Sequence, residues 1–294
     1  MDNSSYFIKN KALFGSYPTQ ESLKELENNN VRHFIDLTQG EKEKNISLYA
    51  TIYNYINYPI ADNYIPHNWR TFSIFILKIC NIITNLKNNE KCYIHCRGGH
   101  SRSGLVVACI VCYIFGKKPN ESIEYTTKCH NNRKNIREKW KKLCCPQSFL
   151  QKKFIYKFFE CLKFYELNRC NIFTYGFSVR SHHNIETEIG NFKNVKDAYD
   201  EYIKIYLIEK EDFDFDFDLD DFEEYRIKIM TQLLKNKFET HVDIRENLLN
   251  TGLRILTNHY KDDEFWSEGT TGKGKNMLGI ILMNIRKDYY EKIE

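Results

Sequence analysis

Cys96 and Arg102 are separated by five residues, two of them glycines, in the string IHCRGGHSRSG over 94–104. A thiol and a guanidinium at this spacing, between an apolar strand and an apolar helix, point to chemistry on a phosphate ester. A five-residue loop lets successive backbone N–H groups converge into an anion nest. The helix that follows adds the positive end of its dipole at the same place. Gly98 and Gly99 supply the backbone freedom and close approach such a loop needs. Arg97, His100 and Ser101 complete the cradle, and Arg102 can fork onto two phosphate oxygens. This positive potential favours the thiolate form of Cys96. A thiolate at the floor of the cradle is poised for in-line attack on phosphorus. Ser103 can hydrogen-bond the sulfur and ease its departure when the phosphoenzyme hydrolyses. His95 is expected to orient the loop.

Other suggestive spacings carry less. Cys109 and Cys112 form a C-x-x-C, but inside the apolar run LVVACIVCYIF and with no second pair at ligand spacing. They are expected as buried helical residues, and Cys144 and Cys145 as packing. No metal site and no cofactor are expected. Gly269 to Lys275 reads G-x-x-x-x-G-K, yet Asn276 follows where magnesium coordination wants Ser or Thr. The run EKEDFDFDFDLDDFEE (209–224) alternates acids with aromatics, and its charge density predicts a solvated insert.

The phosphate loop must be held by the elements around it. VRHFIDLT (31–38), TIYNYINYPI (51–60) and KCYIHC (91–96) are rich in β-formers and read as strands. Helical spacing appears over about 21–27, 69–86, 102–115, 120–132 and 146–167. Strands alternating with helices predict an α/β domain with a mainly parallel sheet flanked by helices. From residue 168 the pattern changes. NIFTYGFSV (171–179) reads as a short strand, followed by helical patterns at 193–208, 221–240, 242–257 and 276–292. Two domains are thus expected, at 1–167 and 168–294, the second mostly α-helical.

The string at 95–103 resembles the signature H-C-x-x-G-x-x-R-S/T of the cysteine-dependent protein tyrosine and dual-specificity phosphatases. His95, Cys96, Gly99, Arg102 and Ser103 all match. The likeness extends over roughly 5–165, including ALFGSYPTQESLKEL, YPIADNYIP and PQSFLQ. It implies a general acid on a loop some thirty residues before the cysteine, which places Asp62 in that role. It also implies that Gln151 faces the site and helps position water.

Residues 230–292 resemble the NADAR (YbiA-like) superfamily, whose members act as N-glycosidases on ribosylated substrates. The matching pieces include Lys237–Phe238, the D-x-x-W of Asp263 and Trp266, and G-x-G-x-N-x-L-G over Gly272 to Gly279, with Asn276 inside it. Breaking a ribosyl C–N bond builds oxocarbenium character, which a carboxylate stabilises. Trp266 can stack on a base, and the Gly-rich backbone with Lys273 and Lys275 can hold a phosphate. The family's helix-start glutamate has Lys196 in its place here, with Asp197, Asp200 and Glu201 close by. Phe222 replaces a family tryptophan.

The chain of 294 residues carries a formal charge of +4. That average hides a division. Residues 1–167 hold 25 Lys/Arg against 14 Asp/Glu, and 168–294 hold 18 against 25. The basic part predicts an anionic ligand. No apolar run reaches the ~18 residues of a bilayer span, and no secretory leader is visible, so a cytoplasmic protein with no membrane partner is expected. The cysteine loop and the two resemblances together imply phosphomonoester hydrolysis on a phosphorylated protein, joined to an N-glycosidase for ribosyl or ADP-ribosyl substrates. The alternative is a phosphatase for RNA ends or ADP-ribose phosphates, with a C-terminal module that binds ribosyl groups without cleaving them.

Overall fold

The structure, a computed structural model, describes residues 2–43, 46–165, 174–211 and 218–293. Its contacts divide the chain into two units, Met1–Phe159 and Glu160–Glu294.

The first unit is an α/β domain. Its elements run β1 (Ser4–Ile8), β2 (Ala12–Ser16), α1 (Gln20–Asn28), β3 (Val31–Asp36), β4 (Asn54–Asn57) and α2 (Trp69–Thr84). They continue through β5 (Lys91–Cys96), α3 (Arg102–Phe115), α4 (Pro119–Asn131), α5 (Glu138–Lys141) and α6 (Phe149–Phe158). One sheet has the order β1-β2-β5-β3-β4. Only the β1–β2 pair is antiparallel. Strand β5 therefore lies at the centre, buried from Cys92 to Cys96. Its unbroken apolar character is what a parallel strand covered on both faces requires. Helix α3 is buried from Arg102 through Cys112, so the C-x-x-C cysteines lie inside the core. Burial pushes the Cys109 thiol well up and that of Cys112 to about 11, which suits inert packing.

Two parts of this domain differ from the sequence expectation. The β1–β2 hairpin was not expected as strands; its polar Lys9–Asn10–Lys11 turn interrupts the apolar pattern. The last helix stops at Phe158, and Cys161–Phe164 is a strand. Phe158 and Leu162 are four apart, as in a helix, but Leu162 and Phe164 are buried with strand alternation.

That strand, β6 (Cys161–Phe164), belongs to the second unit. The unit continues through β7 (Ile185–Thr187), β8 (Gly190–Phe192), α7 (Val195–Glu211), α8 (Leu219–Thr240), α9 (Val242–Asn250), β9 (Ile255–Asn258) and α10 (Met277–Glu291). It is mostly helical, with β6 and β9 paired in parallel and β7–β8 a small hairpin. Its core joins α7, α8 and α10 through residues such as Ala198, Leu234, Phe238 and Leu282. Helix α9 ends earlier than the periodicity suggests. Gly252 takes a φ of +65° there, the left-handed conformation that stops helices. Gly279 lets α10 approach β9, since a Cβ there would collide with the Leu256 carbonyl. Residues 174–179, expected as part of a strand, form turns; 171–173, Cys170 and 212–217 of the acidic run lie outside the described residues. Among the described residues no helix is long and apolar enough to cross a membrane, and no side-chain cluster could hold a metal.

Candidate active site

Strand β5 delivers Cys96 to the C-terminal edge of the sheet, and α3 starts at Arg102, so the intervening loop folds over the end of the strand. This is where ligands bind in open α/β sheets. Cys96 is only 2% exposed and its sulfur lies 3.5 Å from the Ser103 hydroxyl. Gly99 has φ +72°, and a Cβ there would lie 2.6 Å from the Gly15 carbonyl oxygen and 2.7 Å from the Ser16 nitrogen. Glycine is thus required both for the turn and for the close approach of strand β2. Arg133, just past α4, locks the loop from behind. Its buried guanidinium donates to the carbonyls of Gly99 (2.8 Å) and Phe14 (3.1 Å). Nothing local in the sequence distinguishes Arg133 from its basic neighbours; its partners are 34 and 119 positions away.

Arg102 is 1% exposed. It donates to the Ile60 carbonyl at 3.1 Å, and its Nη2 lies 3.3 Å from Asp62 Oδ1. Asp62, half-exposed on the loop before α2, is therefore at the cysteine loop. The guanidinium also forms a two-pronged ion pair with Glu43, with Nη2 3.1 Å from Oε2 and Nη1 on Oε1. Sequence reasoning did not single out Glu43, one of two acids in GEKEK. Burial raises its carboxyl, but bonds from Arg102 and the Gln39 N–H outweigh this and hold it below the usual carboxylate range. Arg102 Nε and the Ser101 hydroxyl are buried with no hydrogen-bond partner among the described residues. Buried unpaired donors are rare in folded proteins, and two in one anion loop call for a ligand rich in acceptors.

His95 lies beneath the loop, fully buried. Its Nε2 is 2.7 Å from the Tyr49 hydroxyl and its Nδ1 3.7 Å from Asp36 Oδ1. Burial is the main force pushing its pKa down to about 4, so the ring is neutral at pH 7. Asp36 is fixed by the Thr38 N–H and the Tyr55 hydroxyl. The His100 side chain engages α4 and α5 instead: it stacks on Trp140 at 4.6 Å and meets His130 Nε2 at 2.7 Å. Exposed Arg97 and Gly98 complete the loop. Gln151 is buried and donates to the Tyr64 carbonyl at 2.8 Å, while Ser148 donates to Asn63. Gln151 thus props the segment carrying Asp62, and its Oε1 is unpaired among the described residues.

In the second unit, Asp263 Oδ1 accepts from the N–H groups of Phe265 (2.8 Å) and Trp266 (2.7 Å), pinning the aromatic pair. Trp266 meets Tyr199 of α7 edge-on at 5.7 Å. Asn276 spends its amide on β9, donating to Leu256 and accepting from the Asn258 N–H. Lys237 is fully buried and its three bonds go to Gly176 O, Ser178 O and Ser181 Oγ. Burial lowers its pKa to about 7. Lys237 therefore clamps the 176–181 turn. Lys196 forms an ion pair with Asp200 one turn along α7. Arg226, missed in the sequence, has its guanidinium carbon over the Phe265 ring, 3.3 Å from the centre.

Comparison with known proteins agrees with this division. The family described as "Polymorphic toxin system, DSP-PTPase phosphatase" matches residues 10–115, and the NADAR domain family matches residues 179–289. The chain thus joins a phosphatase domain of the tyrosine/dual-specificity type to a NADAR domain. It is 32% identical over 289 residues to "Putative tyrosine phosphatase 197R" of Invertebrate iridescent virus 6, covering 97% of this chain and 91% of that protein. The chain belongs to that protein's family. Its namesake 067L of Invertebrate iridescent virus 3 is 40% identical over 161 residues, 54% of this chain and 66% of that one. "N-glycosidase YbiA" of Escherichia coli (strain K12) is 39% identical over 67 residues, 23% of this chain and 42% of that protein.

Proposed function

We propose that the first domain hydrolyses phosphomonoesters through a cysteinyl-phosphate intermediate. The observation that carries this reading is the pair of unpaired buried donors, Arg102 Nε and Ser101 Oγ, in the loop above Cys96. Phosphate oxygens would take these bonds together with the loop N–H groups. The Cys96 thiolate attacks phosphorus in line as the ester oxygen leaves, and Asp62 gives that oxygen its proton. Water then cleaves the S–P bond, giving inorganic phosphate and restoring the thiolate. In that step Asp62 takes a proton from water, and Ser103, 3.5 Å from the sulfur, donates to the departing thiolate. Neutral, buried His95 holds the loop. Gln151 acts through the Asp62 segment it props, extending its expected role of positioning water.

The substrate class we favour is phosphotyrosine-type protein esters, following the relatives' names. The basic charge of the first 167 residues keeps a second reading open: a phosphate on an RNA end or on ADP-ribose. We further propose that the second domain takes a ribosyl or ADP-ribosyl ligand against Trp266. There Asp263 holds the backbone of the aromatic pair through Oδ1, and its Oδ2 takes no part in that capping. With Lys196 tied to Asp200 at the family's glutamate position, binding without cleavage is the competing reading.

The test is hydrolysis of p-nitrophenyl phosphate by the full chain, with and without vanadate. Activity should be vanadate-sensitive and absent from Cys96→Ser; undiminished activity in that variant would remove the mechanism. A panel of phosphotyrosine peptide, triphosphorylated RNA and ADP-ribose 1″-phosphate then separates the substrate classes. Preference for the peptide excludes the second reading.

A further inference from the structure

In the second domain three charged side chains gather on one aromatic wall. The Arg226 guanidinium stacks on Phe265 at 3.3 Å and lies 5.9 Å from the Trp266 ring. Lys275 reaches the same Phe265 ring, with Nζ 5.0 Å from its centre. Between the two cations sits Glu223. Both of its oxygens accept from Lys275, at 2.9 and 3.1 Å, and Oε1 lies 3.4 Å from Arg226 Nη2. Glu223 and Arg226 are three apart on α8, so they share one face. Lys275 arrives from the Gly-rich loop 52 positions later.

The Arg226 side chain is 20% exposed, and its Nε is buried without a partner among the described residues. Packing on Phe265 confines the guanidinium fork. A fork held in this way is preorganised for oxyanions. The carboxylate it meets is a poor match. It reaches one end of the fork at a long distance and leaves Nε unserved. Glu223 and Lys275 are 39% and 57% exposed, so their ion pair is the kind that solvent screens and that a stronger anion displaces easily. A phosphate offers more charge and more acceptor oxygens in the same place.

We propose that Arg226 and Lys275 form the anion-binding pair of the second domain's ligand site, and that Glu223 occupies the position the ligand's phosphate takes. The inference rests on the ribosyl-ligand reading above and adds to it a phosphate next to the ribose, held beside the Trp266–Tyr199 aromatic pair. Glu223 then acts as an internal competitor that sets how tightly a phosphorylated ligand binds. An uncharged ribosyl compound would be indifferent to all three charges.

The test is calorimetric titration of the full chain with ADP-ribose, inorganic pyrophosphate and ribose. All proteins carry Arg102→Met, so that the first domain's anion loop does not contribute. In Glu223→Gln, removing the competing charge should tighten ADP-ribose and pyrophosphate by about fivefold, the scale of an exposed ion pair. In Arg226→Met both should weaken by about tenfold or more, the scale of a charged hydrogen bond. Ribose should respond to neither change. Equal or weaker anion binding in Glu223→Gln would overturn the proposal, and so would unchanged pyrophosphate binding in Arg226→Met. The exposed Glu223 variant is decisive even if Arg226→Met misfolds. If pyrophosphate behaves as expected while ADP-ribose binds none of the proteins, the ribosyl reading fails and the anion pair stands.

Discussion

Each domain seats a carboxylate of its own on a cationic site, and the two seats differ in how they are built. In the first, Glu43 holds Arg102 by both nitrogens, both side chains at least nine-tenths buried. In the second, Glu223 bridges Arg226 and Lys275 near the surface. The first site centres on a continuous piece of chain, β5–loop–α3, with a required glycine and a buried arginine clamp from beyond α4. The second is assembled from α7, α8 and the segment 263–276. A buried contiguous site fixes the geometry of a reacting atom, whereas a dispersed, exposed one suits adjustable binding. The charge division follows the same line: a basic part around the cysteine loop, and an acidic part in which two cations are singled out.

The largest effect that would sharpen this contrast is at Arg102. Arg102→Lys keeps the charge but loses the fork, so p-nitrophenyl phosphate turnover should fall about 100-fold or more. Ligand titrations of the second domain should be unmoved. Asp62→Asn should lower kcat by about 100-fold for substrates with poor leaving groups. Its effect on p-nitrophenyl phosphate should be smaller, because the p-nitrophenolate leaving group needs little protonation. Equal losses on both substrates would argue against Asp62 as the acid.

Gly99→Ala is next. The added Cβ collides with the Gly15–Ser16 backbone and φ is positive, so a loss of about 2 kcal/mol in stability is expected. Thermal melting checks this, and an unchanged melting temperature would mean the loop is less tightly fixed than described.

A further effect concerns pH. Burial lowers His95 to about 4, His100 to about 3 and His130 to about 4. The unfolded chain protonates these rings near 6.5 while the folded domain does not. Their contribution to stability is therefore complete above about 6.5 and declines as pH falls towards 4. Melting temperature measured across that range should drop, and His130→Gln should make the decline shallower.

What the sequence revealed depends on distance along the chain. Strand β5, the loop and α3 are consecutive, so the glycines, the cysteine and the arginine could be read together, and the strand and helix matched their expected limits. Asp62 came from family resemblance, and it lies beside Arg102. Glu43 and Arg133 were not legible, because ordinary surface-type residues become site residues only when the fold brings in partners 59 or 34 positions away. The same holds for Arg226, whose ring partner Phe265 is on another element. Lys237 shows the converse. It belongs to a piece of sequence that matches the family, and full burial with three oxygen acceptors makes it a clamp.

The central claim is that phosphate passes through Cys96. Acid quenching of the full chain during turnover of p-nitrophenyl phosphate, followed by mass spectrometry of its peptides, tests this directly. The account predicts one added phosphoryl group on the peptide containing Cys96, accumulating further in Asp62→Asn with this activated substrate and absent from Cys96→Ser. Turnover with no phosphoryl group on that peptide in any of the three proteins, or with one on a different residue, would contradict it.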